Sequence, residues 1–290
     1  MRSQNLLIVG LIFAALTGCN QSYSLVQQPS PASKLKVVTT FLPMYWFTKA
    51  VVGEAQVEIL IPPGTEVHDY QATPANVSAI ASANVLVKNG INFEEFLDGT
   101  IKSAQNPQLK EIDASANIKS LAGNPHVWLD PVLAKQQVAN IRDGLIAASP
   151  ENKATYQANA TNYIQQLEKL DAEYKQRLQK YSTNCTFISF HDAYPYLANR
   201  YQIKQVAVVE IPEDQLSPTD VQKAINAVKQ YKAKAIFGEP GVDNKLLTAL
   251  SKDLNLTLQP LDSLESGTLD PQHYFKAMRA NLQTLESACK

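Results

Sequence analysis

From Glu151 to Tyr181 the chain runs without a glycine or a proline, behind a Ser149-Pro150 pair that suits a helix N-cap and first helical residue. A segment opened in this way and never interrupted is one long helix. Tyr156, Ala160, Tyr163, Leu167, Leu170, Tyr174, Leu178 and Tyr181 recur at spacings of three and four, which places them on one apolar stripe. About thirty residues at ~1.5 Å each extend roughly 45 Å, enough to lie along two folded bodies. The stripe would also suit a coiled-coil seam, so the helix alone leaves connector and oligomer seam both open. As a connector, one rigid helix permits only small movements of what it joins.

The flanking sequence favours a connector. Before the helix, "KLKVVTT", "VEILI", "NVLVKNG" and "QLKEIDAS" are short and rich in β-branched residues. Each precedes a helical pattern: "LPMYWFTKAVVG", "TPANVSAIAS", "NFEEFLDGTIKSA" and "DPVLAKQQVANIRDGLIAAS". After it, "CTFISF", "IKQVAVVE", "AKAIFGE" and "LTLQPL" repeat the pattern, with helices opening near Asp192, Ser217, Gly241 and Asp270. Strands that alternate with helices pair in parallel. The expected fold class is α/β: two α/β lobes with parallel four-stranded sheets, at residues 34–149 and 182–290, joined by the backbone helix at 150–181. A chain of 290 residues that is 45% hydrophobic has enough apolar side chain for one large core or two smaller ones.

The N-terminus is of a different kind. Arg2 precedes "LLIVGLIFAALTG", an apolar run too short to span a bilayer as a helix and suited to an export signal. It ends in "LTGC", which resembles the lipobox of bacterial lipoproteins. Residues 1–18 then form the signal peptide and Cys19 the lipidated first residue of the mature chain; a cleaved secretory peptide with an incidental cysteine is the alternative. Residues 19–33, polar and proline-containing, read as a flexible tether. Export places the chain in a periplasm or on the outer face of the cytoplasmic membrane, where disulfides persist. Cys185 and Cys289 could pair there, and the sequence leaves that open. With 26 basic and 27 acidic residues there is no charge excess to draw nucleic acid or an anionic membrane surface.

Of the four histidines, three fall where a strand has ended and a helix is about to begin. His68 follows "VEILIPPGTEV" and precedes the N-cap pair Thr73-Pro74. His126 sits in "GNPHVWLDP", just before Asp130-Pro131. His191 closes "CTFISF". Open α/β sheets bind ligands outside the carboxyl ends of their strands, so these three imidazoles lie at the binding end, two in the first lobe and one in the second. Three neutral imidazoles with a carboxylate describe a tetrahedral zinc site. Asp262, ending "LTLQPL", is the leading fourth ligand; Glu210 and Glu239, also at strand ends, are partners behind the ligands or substitutes for Asp262. Cys185 opens the strand that His191 closes, roughly 20 Å away, and is no rival ligand. His273, just inside the last helix, reads as a surface residue.

The segments "VHDYQATPANVSAIASANVLVKNGINFEEFL", "NPHVWLDP", "FISFHDAYPYLANRY", "VVEIPEDQLSPTD" and "IFGEP" together resemble the metal-binding solute receptors of bacterial zinc and manganese ABC transporters. Such receptors have two α/β lobes on one backbone helix, hold the metal between the lobes and deliver it to a membrane permease. The resemblance implies that His68, His126 and His191 are ligands, with Asp262 at the fourth, carboxylate position. It implies a monomeric binding protein rather than an enzyme. Manganese-type relatives carry a glutamate where this chain has His191, and three imidazoles with one carboxylate suit Zn2+ better than Mn2+. The chain lacks the histidine-rich acidic loop that many zinc-type receptors carry after the first ligand, which leaves Mn2+ or iron open as cargo.

Two readings of another class remain. A zinc hydrolase could use the three histidines to activate water with Glu210 or Glu239 as base, although no H-E-x-x-H, G-x-S-x-G or P-loop is present. A surface adhesin would need a large exposed apolar or aromatic patch. Because metal binding displaces protons, affinity is expected to fall below about pH 6.5 as the imidazoles charge.

Overall fold

The computed structural model describes residues 35–181, 185–210, 217–233, 235–240 and 245–289. The expected signal peptide, the tether and Cys19 lie outside the described residues, as do the residues around Gly241 where a helix was expected to open.

The first sheet is built from β1 (Val37–Thr39), β2 (Val57–Ile59), β3 (Val85–Lys88) and β4 (Lys110–Asp113), all parallel, in the order β2-β1-β3-β4. Its crossovers run through α1 (Leu42–Val52), α2 (Pro74–Ser82) and α3 (Leu97–Ala104), and α4 (Pro131–Ala148) follows β4. Alternation along the strands divides the side chains between two faces. Val37, Val85 and Val87 join the core beneath α1 and α4, whereas Val38 and Leu86 pack with Ala79, Ile80 and Leu97 under α2 and α3.

The long helix α5 covers Lys153–Leu178, with a 3-10 turn at either end, at Pro150–Asn152 and Gln179–Tyr181. The stripe from Tyr156 to Leu178 is buried as its spacing requires. It packs on α1 and α4 of the first lobe and on the last helix of the second.

Beyond it lie β5 (Thr186–His191), α6 (Pro195–Tyr201), β6 (Lys204–Val209), α7 (Pro218–Tyr231), β7 (Ala235–Gly238), α8 (Lys245–Asp253), β8 (Thr257–Pro260) and α9 (His273–Cys289). The second sheet is also parallel, in the order β6-β5-β7-β8, the same winding as the first. Cys185, just before β5, is disulfide-bonded to Cys289 at the end of α9, across a sequence separation of 104.

One core runs through both lobes, holding Trp46, Trp128, Tyr163, Tyr174, Phe187, Tyr194 and Phe237. The segment from Asn124 to Asp130 stitches the lobes together. Asn124 Nδ2 donates to the Asp192 carbonyl at 2.6 Å, Trp128 Nε1 to the Ser263 carbonyl at 2.8 Å, and Tyr274 Oη to the Trp128 carbonyl at 2.7 Å. Arg200 on α6 pairs with buried Asp130, the α4 N-cap, at 2.8 Å.

Several helices start later than their sequences suggest: α5 only at Lys153, after its 3-10 turn, α9 at His273 rather than near Asp270, and α3 and α6 for reasons that can be named. The pattern "NFEEFLDGTIKSA" becomes helical only at Leu97, because Gly90, Ile91 and Asn92 take φ values of 84°, 54° and 56°. A β-branched residue such as Ile91 enters that region only under constraint. The constraint is the buried Glu94 carboxylate, which accepts from Asn89 N at 2.6 Å, Gly90 N at 3.2 Å and Thr40 Oγ1 at 2.7 Å. The helix expected near Asp192 begins at Pro195, since a residue before proline is pushed out of the helical region.

Candidate metal centre

Each histidine is delivered by a loop or strand end at the carboxyl edge of a sheet. The capping box of Thr73 and Asn76 fixes the start of α2 and so ends the loop carrying His68. His126 precedes a 3-10 turn at Val127–Leu129 whose Val127, Trp128 and Leu129 are fully buried. Asp130 then caps α4 through Val132 N. His191 is the last residue of β5, at the switch point between β5 and β7 where the strand order reverses, and Glu239 follows β7 on the other side of that switch.

The three rings converge. Their centroids lie 5.5 Å (His68 to His126), 5.0 Å (His68 to His191) and 4.7 Å (His126 to His191) apart. The fourth group at this point is Glu265: one ligand-capable atom from each of His68, His126, His191 and Glu265 lies within 4.8 Å of all the others. Glu265 Oε1 stands 3.1 Å from His126 Nε2 and 3.4 Å from His68 Nε2. Although near one another, His126 Nε2, His191 Nε2 and Glu265 Oε1 are buried without a well-aligned hydrogen bond. Buried polar atoms left so are costly unless something else satisfies them, and a cation at their centre would.

The imidazoles are oriented from behind. His191 Nδ1 meets Glu239 Oε1 at 2.7 Å, and His126 Nδ1 meets Asn124 Oδ1 at 3.0 Å. Both partners are acceptors, which assigns the ring proton to Nδ1 and leaves the Nε2 lone pair facing the cluster. Phe93 and Trp128 wall the site, with ring centroids 5.5 Å from His68 and 5.0 Å from His126.

Burial above all, and then the neighbouring imidazoles, push His126 down to about 4. It therefore stays neutral well below the pH 6.5 expected from its free value. Burial alone would raise the Glu265 carboxyl, but the three histidines overcome it and hold it well below the usual carboxylate range. Near neutral pH the site thus presents a neutral His126 imidazole and an ionised carboxylate, the forms that bind a cation.

Asp262, the expected fourth carboxylate, is not in this cluster. Its Oδ1 accepts from Leu264 N at 2.7 Å, while its own N–H and carbonyl are held by the Asn281 side chain. Burial raises its carboxyl to about 6. Leu264, at φ 65°, turns the chain so that Glu265, three residues beyond the expected position, faces the imidazoles. A leucine gives no warning of a left-handed turn; the available signal was a second carboxylate in "LDSLESG", close to the strand end. Glu239 stands behind His191, whereas Glu210 is exposed at the end of β6. His273 lies partly exposed at the start of α9, its ring 5.3 Å from that of Trp46.

A family model described as the periplasmic component A of zinc-uptake complexes (ZnuA) matches residues 37–288. The high-affinity zinc uptake system protein ZnuA of Bacillus subtilis is 30% identical, over 98% of this chain and 96% of its own length. The zinc-binding lipoprotein AdcA of Streptococcus pneumoniae is 32% identical over 99% of this chain, which spans only 61% of that longer protein. The crystal structure of its Zn(II)-bound ZnuA-like domain superposes with a TM-score of 0.78 at 35% identity, covering 88% of this chain and 98% of the domain. The laminin-binding protein Lbp of Streptococcus pyogenes superposes with a TM-score of 0.80 at 31% identity, covering 88% of this chain and all of that one.

Proposed function

This chain belongs to the family of the periplasmic zinc-uptake component A, and from that premise we propose that it captures Zn2+ between its lobes through His68, His126, His191 and Glu265 and passes the ion to an ABC permease. The observation that carries the ligand set is the convergence of three imidazole nitrogens and one carboxylate oxygen within 4.8 Å. Three nitrogens and an oxygen around a four-coordinate centre favour Zn2+; Mn2+ prefers more and harder oxygen ligands. Iron falls between the two.

Zn2+ here is cargo, held and released. A hydrolytic zinc needs an open position for water. In this arrangement Glu265 takes the fourth position and Glu239 is engaged with His191 Nδ1, which leaves no open position for an activated water. Adhesion is a second reading, supported by the laminin-binding name of the streptococcal neighbour; Leu269, 46% exposed, is the one large hydrophobic side chain exposed among the described residues.

The protein acts outside the cytoplasm. With residues 1–18 removed as signal peptide, a lipid on Cys19 would hold it at the membrane face, a reading supported by the lipoprotein name of the pneumococcal relative. All four ligands come from one chain, so a monomer suffices.

The test is titration of the metal-stripped protein with Zn2+ and Mn2+ against a competing chelator, beside His126→Ala. The expected result is one tight zinc site, weakened about a hundredfold in the variant, with Mn2+ far weaker in the parent. If the variant binds Zn2+ as the parent does, the site is wrong; if Mn2+ competes equally, the cargo is.

A further inference from the structure

Ser263 is buried between two carboxylates. Its hydroxyl meets Glu239 Oε2 and, at 3.1 Å, Glu265 Oε2. Each carboxylate turns its other oxygen to an imidazole: Glu239 Oε1 to His191 Nδ1 at 2.7 Å, Glu265 Oε1 to His126 Nε2 at 3.1 Å. The Ser263 carbonyl accepts from Trp128 Nε1, and the Trp128 ring lies against His126. A hydroxyl carries one hydrogen, whose closer acceptor is Glu239, and its oxygen holds both carboxylates at a set spacing.

We infer that Ser263 is a positioning residue that determines metal specificity. By holding Oε2 of Glu265 turned toward itself it leaves that carboxylate one oxygen facing the imidazoles, and so holds the site at four ligand atoms. Four tetrahedral ligands suit Zn2+, whereas Mn2+ gains from a carboxylate that chelates with both oxygens. Loss of the hydroxyl frees Oε2 to turn toward the ion and raises the coordination number. The inference rests on the zinc-receptor reading above and adds to it a selectivity device outside the ligand set.

The test uses metal-stripped protein carrying Ser263→Ala, Ser263→Gly or Ser263→Thr; the first two delete the hydroxyl and the third keeps one. Affinities for Zn2+ and Mn2+ are measured by chelator competition, and the visible spectrum of the Co2+ form reports coordination number. In the Ala and Gly variants Zn2+ binding weakens by about tenfold or more. Mn2+ binding is no weaker than in the parent, and the strong absorption of four-coordinate Co2+ declines. Ser263→Thr behaves as the parent does. Equal weakening of both ions with an unchanged Co2+ spectrum, or no change at all, overturns the role. A parent that does not prefer Zn2+ to Mn2+ overturns the zinc reading instead.

Discussion

Removing each of the two candidate carboxylates in turn separates the geometry of this site from its sequence pattern. Structural zinc sites bind with about 10–16 kcal/mol near neutral pH, or about 2.5–4 kcal/mol for each of four ligands. Because ~1.4 kcal/mol is tenfold, removal of one ligand weakens binding roughly 60- to 700-fold. Glu265→Ala removes the oxygen that stands 3.1 Å from His126 Nε2 and should lose that much. Asp262→Ala removes only the acceptor of Leu264 N, about 1 kcal/mol of folding stability, and should leave zinc affinity close to that of the parent. Chelator competition reads the affinities directly, and thermal unfolding with and without Zn2+ checks them. At a zinc concentration a thousand times the parent's Kd, binding stabilises the parent by about 4.1 kcal/mol but a variant weakened a hundredfold by only about 1.4 kcal/mol. A hundredfold loss in Asp262→Ala together with parental affinity in Glu265→Ala would refute the placement of Glu265 at the ion.

The metal-free protein should lose stability as pH falls from 6.5 toward 4. The unfolded chain protonates at His126 in that window while the buried native imidazole does not, so the contribution is fully present above 6.5 and its loss amounts to roughly 3 kcal/mol. Urea unfolding at pH 7 and 4.5 measures it, and His126→Gln should flatten the slope. Cleaving the Cys185–Cys289 disulfide opens a loop with a sequence separation of 104 and should lower unfolding free energy by about 2–5 kcal/mol, read as a shift of the denaturant midpoint under reducing conditions. Glu94→Gln puts an amide N–H2 among three donors, from Thr40, Asn89 and Gly90, and should cost about 1–3 kcal/mol in thermal unfolding.

Much of this architecture is local physics and therefore visible in the chain. Ser-Pro, Thr-Pro and Asp-Pro pairs announce helix starts because a side-chain oxygen caps while proline prefers the first turn, and Ser217, Thr73 and Asp130 do cap, whereas the Ser149 hydroxyl turns to Glu151 and caps nothing. The stripe on α5 was legible because a spacing of three and four has one geometric meaning. The left-handed residues at Gly90–Asn92 were not, since the buried Glu94 that imposes them acts through Thr40 on another loop. The same holds for Cys185 and Cys289, whose bond depends on α9 returning to the start of β5.

The histidines divide along the same line. That His68, His126 and His191 lie at the carboxyl ends of parallel strands follows from sequence, because strand and helix periodicity alone place them there. That they meet, and that Glu265 rather than Asp262 joins them, was decided in three dimensions. The fourth position depends on a left-handed turn at Leu264, on Asn281 from α9 holding the Asp262 backbone, and on Ser263 bridging Glu239 and Glu265. Each of these is a contact between segments far apart in the chain or a backbone state that the residue type disfavours. Periodicity reports which end of a sheet a residue occupies; only tertiary packing, here within the second lobe, determines which carboxylate at that end faces the imidazoles.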